Sequence, residues 1–252
     1  MDRRGMRDYF HRKSAVGLIV FGVLLAPILI GIFLLIAGIL RARKNRRLPS
    51  DAQIDAWIEE DLTAVQKHSF DKTGLDEDDL VAEPVIVKGL RFWNIGGAEI
   101  GIRAGDDRTI RFSPIGVTVI CFTPDQLVAY QCALDLFTGK ALSESTEEYF
   151  YQDVVSVSTT SDTLSWSEET LSKSGILDTP LKELMVGGKL QFNAAETFVL
   201  TTSGGTNLEV VLSDPKLIEV VGGGSIPIDT AEKAIRAVRK MLREKKGGAR
   251  PQ

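Results

Sequence analysis

The sequence predicts an α+β chain that is mostly β. The expected order is one N-terminal transmembrane helix, a juxtamembrane amphipathic helix, and an antiparallel β-barrel or sandwich capped by a C-terminal helix. Three observations carry this. Residues 15–40 form an uncharged apolar run, residues 80–213 alternate with period two, and residues near 51–69 and 229–245 carry apolar stripes at helical spacing.

The run AVGLIVFGVLLAPILIGIFLLIAGIL has 26 residues, roughly 39 Å as a helix against a hydrocarbon core of about 30 Å. It is too long for a cleaved signal peptide, and a basic stretch follows it directly. Pro27 removes a backbone donor at its centre, so a kink is expected there. A re-entrant hairpin bent at Pro27 is the alternative, with arms of about 12 residues, too short to span. Arg3, Arg4, Arg7, Arg12 and Lys13 precede the run, and Arg41, Arg43, Lys44, Arg46 and Arg47 follow it. The flanks tie, so they do not set the orientation. Two cysteines predicted too far apart to bridge favour a soluble domain on the cytoplasmic side of the plasma membrane. The basic collar of Arg41, Arg43, Lys44, Arg46 and Arg47 is then expected on anionic headgroups.

Charge is segregated along the chain. Residues 1–47 carry ten Lys/Arg against two Asp, and residues 48–80 carry two Lys against ten acids. Residues 81–224 carry ten basic and nineteen acidic groups, and residues 225–252 eight basic and three acidic. A total of −4 conceals basic ends around an acidic middle. So acidic a middle argues against nucleic-acid binding.

The first helix behind the collar is predicted from 50 or 51 to about 69, with Ser50 and Gln53 as a capping box. Ile54, Trp57, Ile58, Leu62 and Val65 form its apolar stripe. The stripe packs on the following domain or meets another chain, and Trp57 fits either reading. An acidic linker, Asp76 to Asp79, ends this part.

Strands are expected at 84–93, 109–112, 115–123, 127–137, 148–159, 188–192, 196–202 and 207–213. Short turn-like links imply an antiparallel meander. Residues 94–108 read as a long loop, and 161–187 as an irregular insertion with a short helix around Pro180 to Met185. Residues 222–225 read as a hinge and 247–252 as a disordered tail. The resulting divisions are a basic tail 1–14, the anchor 15–40, collar, helix and linker 41–79, and a β domain 80–246. In the last helix Ile235, Val238, Met241 and Leu242 face one way, and Arg236, Arg239, Lys240 and Arg243 the other. Those four cations and Trp57 are the candidate contacts for a partner or for lipid.

Leu127 and Tyr130, followed by Tyr151, Asp153, Val154 and Val157, make a hairpin-then-strand pattern. It resembles bacterial pleckstrin-homology-like and GRAM-like domains over roughly residues 80–245. The resemblance implies a closed antiparallel domain with a capping helix, often tethered to a membrane segment, and raises phosphoinositide binding. The scattered cations Lys88, Arg91, Arg103, Arg108 and Arg111 form no headgroup cluster.

Little chemistry is visible. His11 and His68 have no evident partner set and read as solvated. There is no P-loop, zinc-protease or nucleophile-elbow pattern, and no cofactor is expected. Cys121 and Cys132 read as buried thiols, on one face of a hairpin but out of register. The expected function is a membrane-tethered, non-enzymatic module that binds or scaffolds a partner protein. Gly22 and Ala26 offer a weak route to a homo-oligomer. The alternative is a peripheral sensor of anionic lipids that uses the collar and the last helix.

Overall fold

The computed structural model describes residues 3–10, 16, 19–20, 29–45, 48–91, 94–167, 185–186, 189–213 and 229–247. Contacts divide the chain into two units, 1–56 and 57–252.

The first unit contains helices α1 (Arg3–Phe10) and α2 (Leu29–Asn45), and the start of α3 (Asp51–Thr73). Met6, Tyr9, Phe10 and Ile54 are buried in it. The Tyr9 hydroxyl donates to Asp51 Oδ1 at 2.8 Å. The apolar run is not one straight helix. Residues 19 and 38 would stand roughly 28 Å apart in a continuous helix, yet a Cβ on Gly38 would come within 2.7 Å of the Ile19 side chain. The chain therefore folds back between them. The apolar part of α2, before Arg41, is only about 18 Å long at 1.5 Å per residue. No helix of the described residues is long and apolar enough to cross a membrane. That overturns the expected single-pass anchor and the plasma-membrane location that rested on it. Pro27 itself lies outside the described residues. α2 leaves Ile32, Phe33, Ile36, Ile39 and Leu40 exposed.

The second unit is built on two antiparallel sheets. One has the order β1-β4-β5-β6, formed by Ala82–Leu90, Ile115–Phe122, Gln126–Asp135 and Lys140–Phe150. The other has the order β10-β9-β7, formed by Asn207–Ser213, Lys189–Thr202 and Val154–Ser167, with the short β8 (Met185–Val186) beside β9. A separate hairpin pairs β2 (Gly101–Ala104) with β3 (Ile110–Ser113). The C-terminal helix α4 runs over Asp229–Gly247. The chain is thus mostly β with four α-helices and several open antiparallel sheets among the described residues. The expected closed barrel is not formed. β1 packs beside β10 without joining its sheet, and β6 and β7 end their sheets on the other side.

The four-stranded sheet is buried on both faces, which explains the near-continuous apolar runs of β4 and β5. One face presents Val87, Ile120, Phe122, Leu127, Ala129 and Tyr149 to a core shared with Phe198, Leu200, Leu208 and Val210 of the second sheet and Ile235 and Val238 of α4. Side chains alternate along a strand, so the other face carries Val117, Val119, Cys121, Val128, Tyr130 and Cys132, all buried. Here α3 lies across the sheet, with Leu62, Val65 and Ser69 buried on its inner side. Lys88 of β1 meets Glu59 at 2.7 Å. Glu144 of β6 accepts from His68 Nε2 at 2.8 Å and from the Tyr130 hydroxyl at 2.9 Å, with Lys72 Nζ at 3.4 Å. The His68 and Tyr130 rings meet edge-on at 6.0 Å. Of the two readings for the α3 stripe, Leu62 and Val65 follow packing on the domain. His68 is not simply solvated. Each fully buried aliphatic side chain stabilises by about 1.5–3 kcal/mol, and an exposed ion pair by about 0–1 kcal/mol. The apolar faces therefore hold α3 in place, and the ion pairs set its position along the sheet.

Several boundaries differ from expectation. The segment 94–108 contains β2, which pairs with β3 instead of remaining a loop. The expected strand 148–159 is the end of β6 and the start of β7, broken by the turn at 151–153. β6 was missed because it is a polar edge strand, exposed at Glu144, Ser145, Thr146 and Glu148. β7 continues to Ser167, into the expected insertion, and Met185 is in a strand rather than a helix. Residues 168–184, the 222–225 hinge and the 248–252 tail lie outside the described residues.

Burial pushes the Glu144 carboxyl up, but hydrogen bonds from Tyr130, His68 and Lys72 outweigh it and hold the group below its ordinary value. A depressed carboxylate contributes stability above its unfolded pKa, and that contribution is lost as pH falls through the folded value. Glu144→Ala should cost about 1–2 kcal/mol at neutral pH and give a shallower loss of stability on acidification than the parent chain. Urea unfolding over a pH series measures both.

Candidate functional site

The opening between β6 and β7 is where the unit offers a site. β7 pairs with β9 alone among the described strands, so its other side is an open edge. A bulge between Val154 and Ser156 marks the start of this edge. The Val154 side chain is buried in the core, while Val155 next to it is 61% exposed.

α4 forms the opposite wall, and its helical period decides which groups face the edge. Ile235 and Val238 are buried, with Met241 and Leu242 partly buried against the same core. Arg236, Arg239, Arg243 and Lys246 follow one another in steps of three, four and three, so they stack along one stripe beside that buried face. Together with Val154, Val155, Ser156, Val157 and Leu242 they line an open groove of about 750 Å³. The floor is apolar and the helix wall cationic. Arg243 Nε donates to the Arg239 carbonyl at 3.2 Å. The Lys246 ammonium donates to the Val154 carbonyl, tying the helix to the edge. Lys245 Nζ sits 5.9 Å from the centre of the Tyr151 ring, a cation–π contact. Burial, with Asp125 adding to it, pushes the Tyr151 phenol up to about 12. Its hydroxyl donates to the Thr123 carbonyl at 2.9 Å, which fixes the turn that leads into β7. Cations in the last turns of α4 also complement the negative end of the helix dipole.

The candidates from sequence separate here. Arg236, Arg239 and Arg243 meet in the groove. Lys240 does not line it; it lies on the outer side, 3.8 Å from Glu244. Arg41, Arg43 and Lys44 are in α2 of the other unit, Arg46 and Arg47 lie outside the described residues, and Trp57 is half-buried at the start of the second unit. Sequence reasoning missed Lys246, although it continues the three-and-four spacing, and missed β7 as the facing wall.

Elsewhere the polar groups are structural. Arg111 is buried and grips Asp107 through two hydrogen bonds of 3.0 and 2.8 Å, and the carboxyl is held well below its ordinary range by them. No group of three or more His, Cys, Asp or Glu side chains among the described residues is arranged to hold a metal ion. Cys121 stands opposite Val128 and Cys132 opposite Val117. The thiols share a face but lie four positions out of register, roughly 13 Å apart along the strand, beyond disulfide reach.

No family model, curated protein or solved structure matches this chain. The pleckstrin-homology-like and GRAM-like resemblance therefore gains no support from known proteins.

Burial pushes both Cys121 and Cys132 thiols up to about 11, and the thiolate is the reactive form. An aromatic disulfide reagent at neutral pH should label neither thiol in the folded chain and both after unfolding. Fast labelling of either without denaturant would contradict the packing of the central strands.

Proposed function

We propose that this chain is a non-enzymatic binding module that takes an extended, acidic segment of a partner protein into the groove between β7 and α4. One observation carries the reading: an open strand edge faces a row of cations across an apolar floor. An open edge offers backbone donors and acceptors to an incoming strand. Alternate side chains of that strand would turn towards Val155, Val157 and Leu242. Carboxylates on it would meet Arg239 and Arg243, whose planar forks suit bidentate pairing. Lys246 is already tied to the strand backbone. That favours a segment lying along the open strand edge over an anionic surface lying on the helix.

The full chain should bind a synthetic peptide of alternating Glu and Val, and bind its Gln counterpart more weakly. Arg239→Glu with Arg243→Glu should weaken the acidic peptide by at least about thirtyfold, since like charges facing across an interface cost several kcal/mol. Raised salt should weaken it too. Fluorescence anisotropy reads all three. Equal binding of both peptides, or binding only to vesicles of anionic lipid, would overturn the proposal.

A further inference from the structure

The opening has a second strand edge, and its charge is opposite. Among the described strands β6 pairs with β5 alone. After Lys140 it carries Glu144, Glu147 and Glu148 and no further cation. At its end Phe150 is 49% exposed, just across the 151–153 turn from the exposed Val155 of β7.

We infer that the partner for which this opening is built is a second copy of the same chain, with the β6 edge of each copy laid along the β7 edge of the other. The inference rests on the groove reading above and names its occupant. Charge selects this pairing over its alternatives. Laying β6 on β6 sets carboxylates against carboxylates, and laying β7 on β7 brings the two cationic helix walls together. Like charges placed opposite one another across strands are destabilising. Only β6 on β7 joins an acidic edge with the stripe of Arg239, Arg243 and Lys246, through Glu147, which shares the face of Tyr149, while Glu148 points to the opposite face. The acids on β6 thus act twice, against self-pairing of that edge and towards the groove.

Symmetry strengthens the case. β6 and β7 border the same opening and are joined by a short turn. A single two-fold axis through the opening therefore satisfies both pairings at once, giving a closed dimer. The same axis brings Phe150 of each copy towards the other copy's Val155. Each chain then covers its partner's two exposed apolar side chains and both open edges.

Charge reversal with mixing tests this on the full chain. Arg239→Glu with Arg243→Glu makes the groove acidic, and Glu147→Lys with Glu148→Lys makes the β6 edge basic. Each double variant alone should self-associate on the order of a hundredfold more weakly than the parent by sedimentation. Circular dichroism checks that each is folded. Mixed together they should form the heterodimer with parental strength, because both contacts then join opposite charges. As a second readout that leaves the charges intact, chains carrying Phe150→Cys mixed with chains carrying Val155→Cys should give a disulfide-linked heterodimer on mild oxidation. Reversals without effect on association, or mixing without recovery, would overturn the dimer. A monomeric parent chain that still binds the acidic peptide would overturn this inference and leave the groove reading standing. A parent chain that does neither would overturn both.

Discussion

The pairing of β4 with β5 is the constraint on which the rest of the second unit depends. Eight residue pairs run in register from Ile115 with Leu134 to Phe122 with Leu127, and nearly every side chain in both strands is buried. A two-stranded ribbon that is apolar on both faces has to be covered on both. The second sheet and α4 cover one face, and α3 covers the other. The ion pairs at Glu59 and Glu144 then choose where along the sheet α3 comes to rest.

The same constraint produces the opening. With one face of the four-stranded sheet committed to α3, the chain leaves β6 at 151–153 and crosses to the second sheet without pairing β6 to β7. β1 and β10 pack together on the far side, and α4 closes over the core between them. What remains is an open edge on each sheet, that of β7 lying next to the cationic side of α4. The apolar stripe of α4, with Ile235 and Val238 buried, fixes its rotation. Its Arg residues therefore face the groove for the same reason that its valine faces the core.

Much of this was legible in the residues. The turn at 123–126 was readable from Pro124 and Asp125, since the Thr123 amide donates to the Gln126 carbonyl at 3.0 Å. The α3 start was readable from Ser50, whose hydroxyl accepts the Gln53 amide at 3.3 Å. The cations of α4 were visible as a face, of which Arg236, Arg239 and Arg243 line the groove. Lys240 lies outside the groove, which the residues did not show, because a sequence gives the polar side of a helix without saying which part of it has a neighbour. β6 was unreadable because an edge strand exposed to water loses the apolar alternation that marks a strand. The 15–40 run misled for a different reason. Its length and hydropathy describe a spanning helix, but the contact of Ile19 with Gly38 turns the chain back on itself. A partner 19 residues away leaves no mark in composition.

Hydrogen exchange on the full chain tests the central claim most directly, because protection follows how deeply a backbone bond is enclosed. The doubly covered ribbon should hold the slowest amides, in β4 and β5. Within residues 154–157 of β7, the amides turned away from β9 should exchange fastest of any strand amides in the dilute monomer, until an acidic segment, added or from a second copy, fills the groove. Fast exchange throughout β4 and β5, or β7 edge amides as slow as theirs in the dilute monomer without an added segment, would contradict the account.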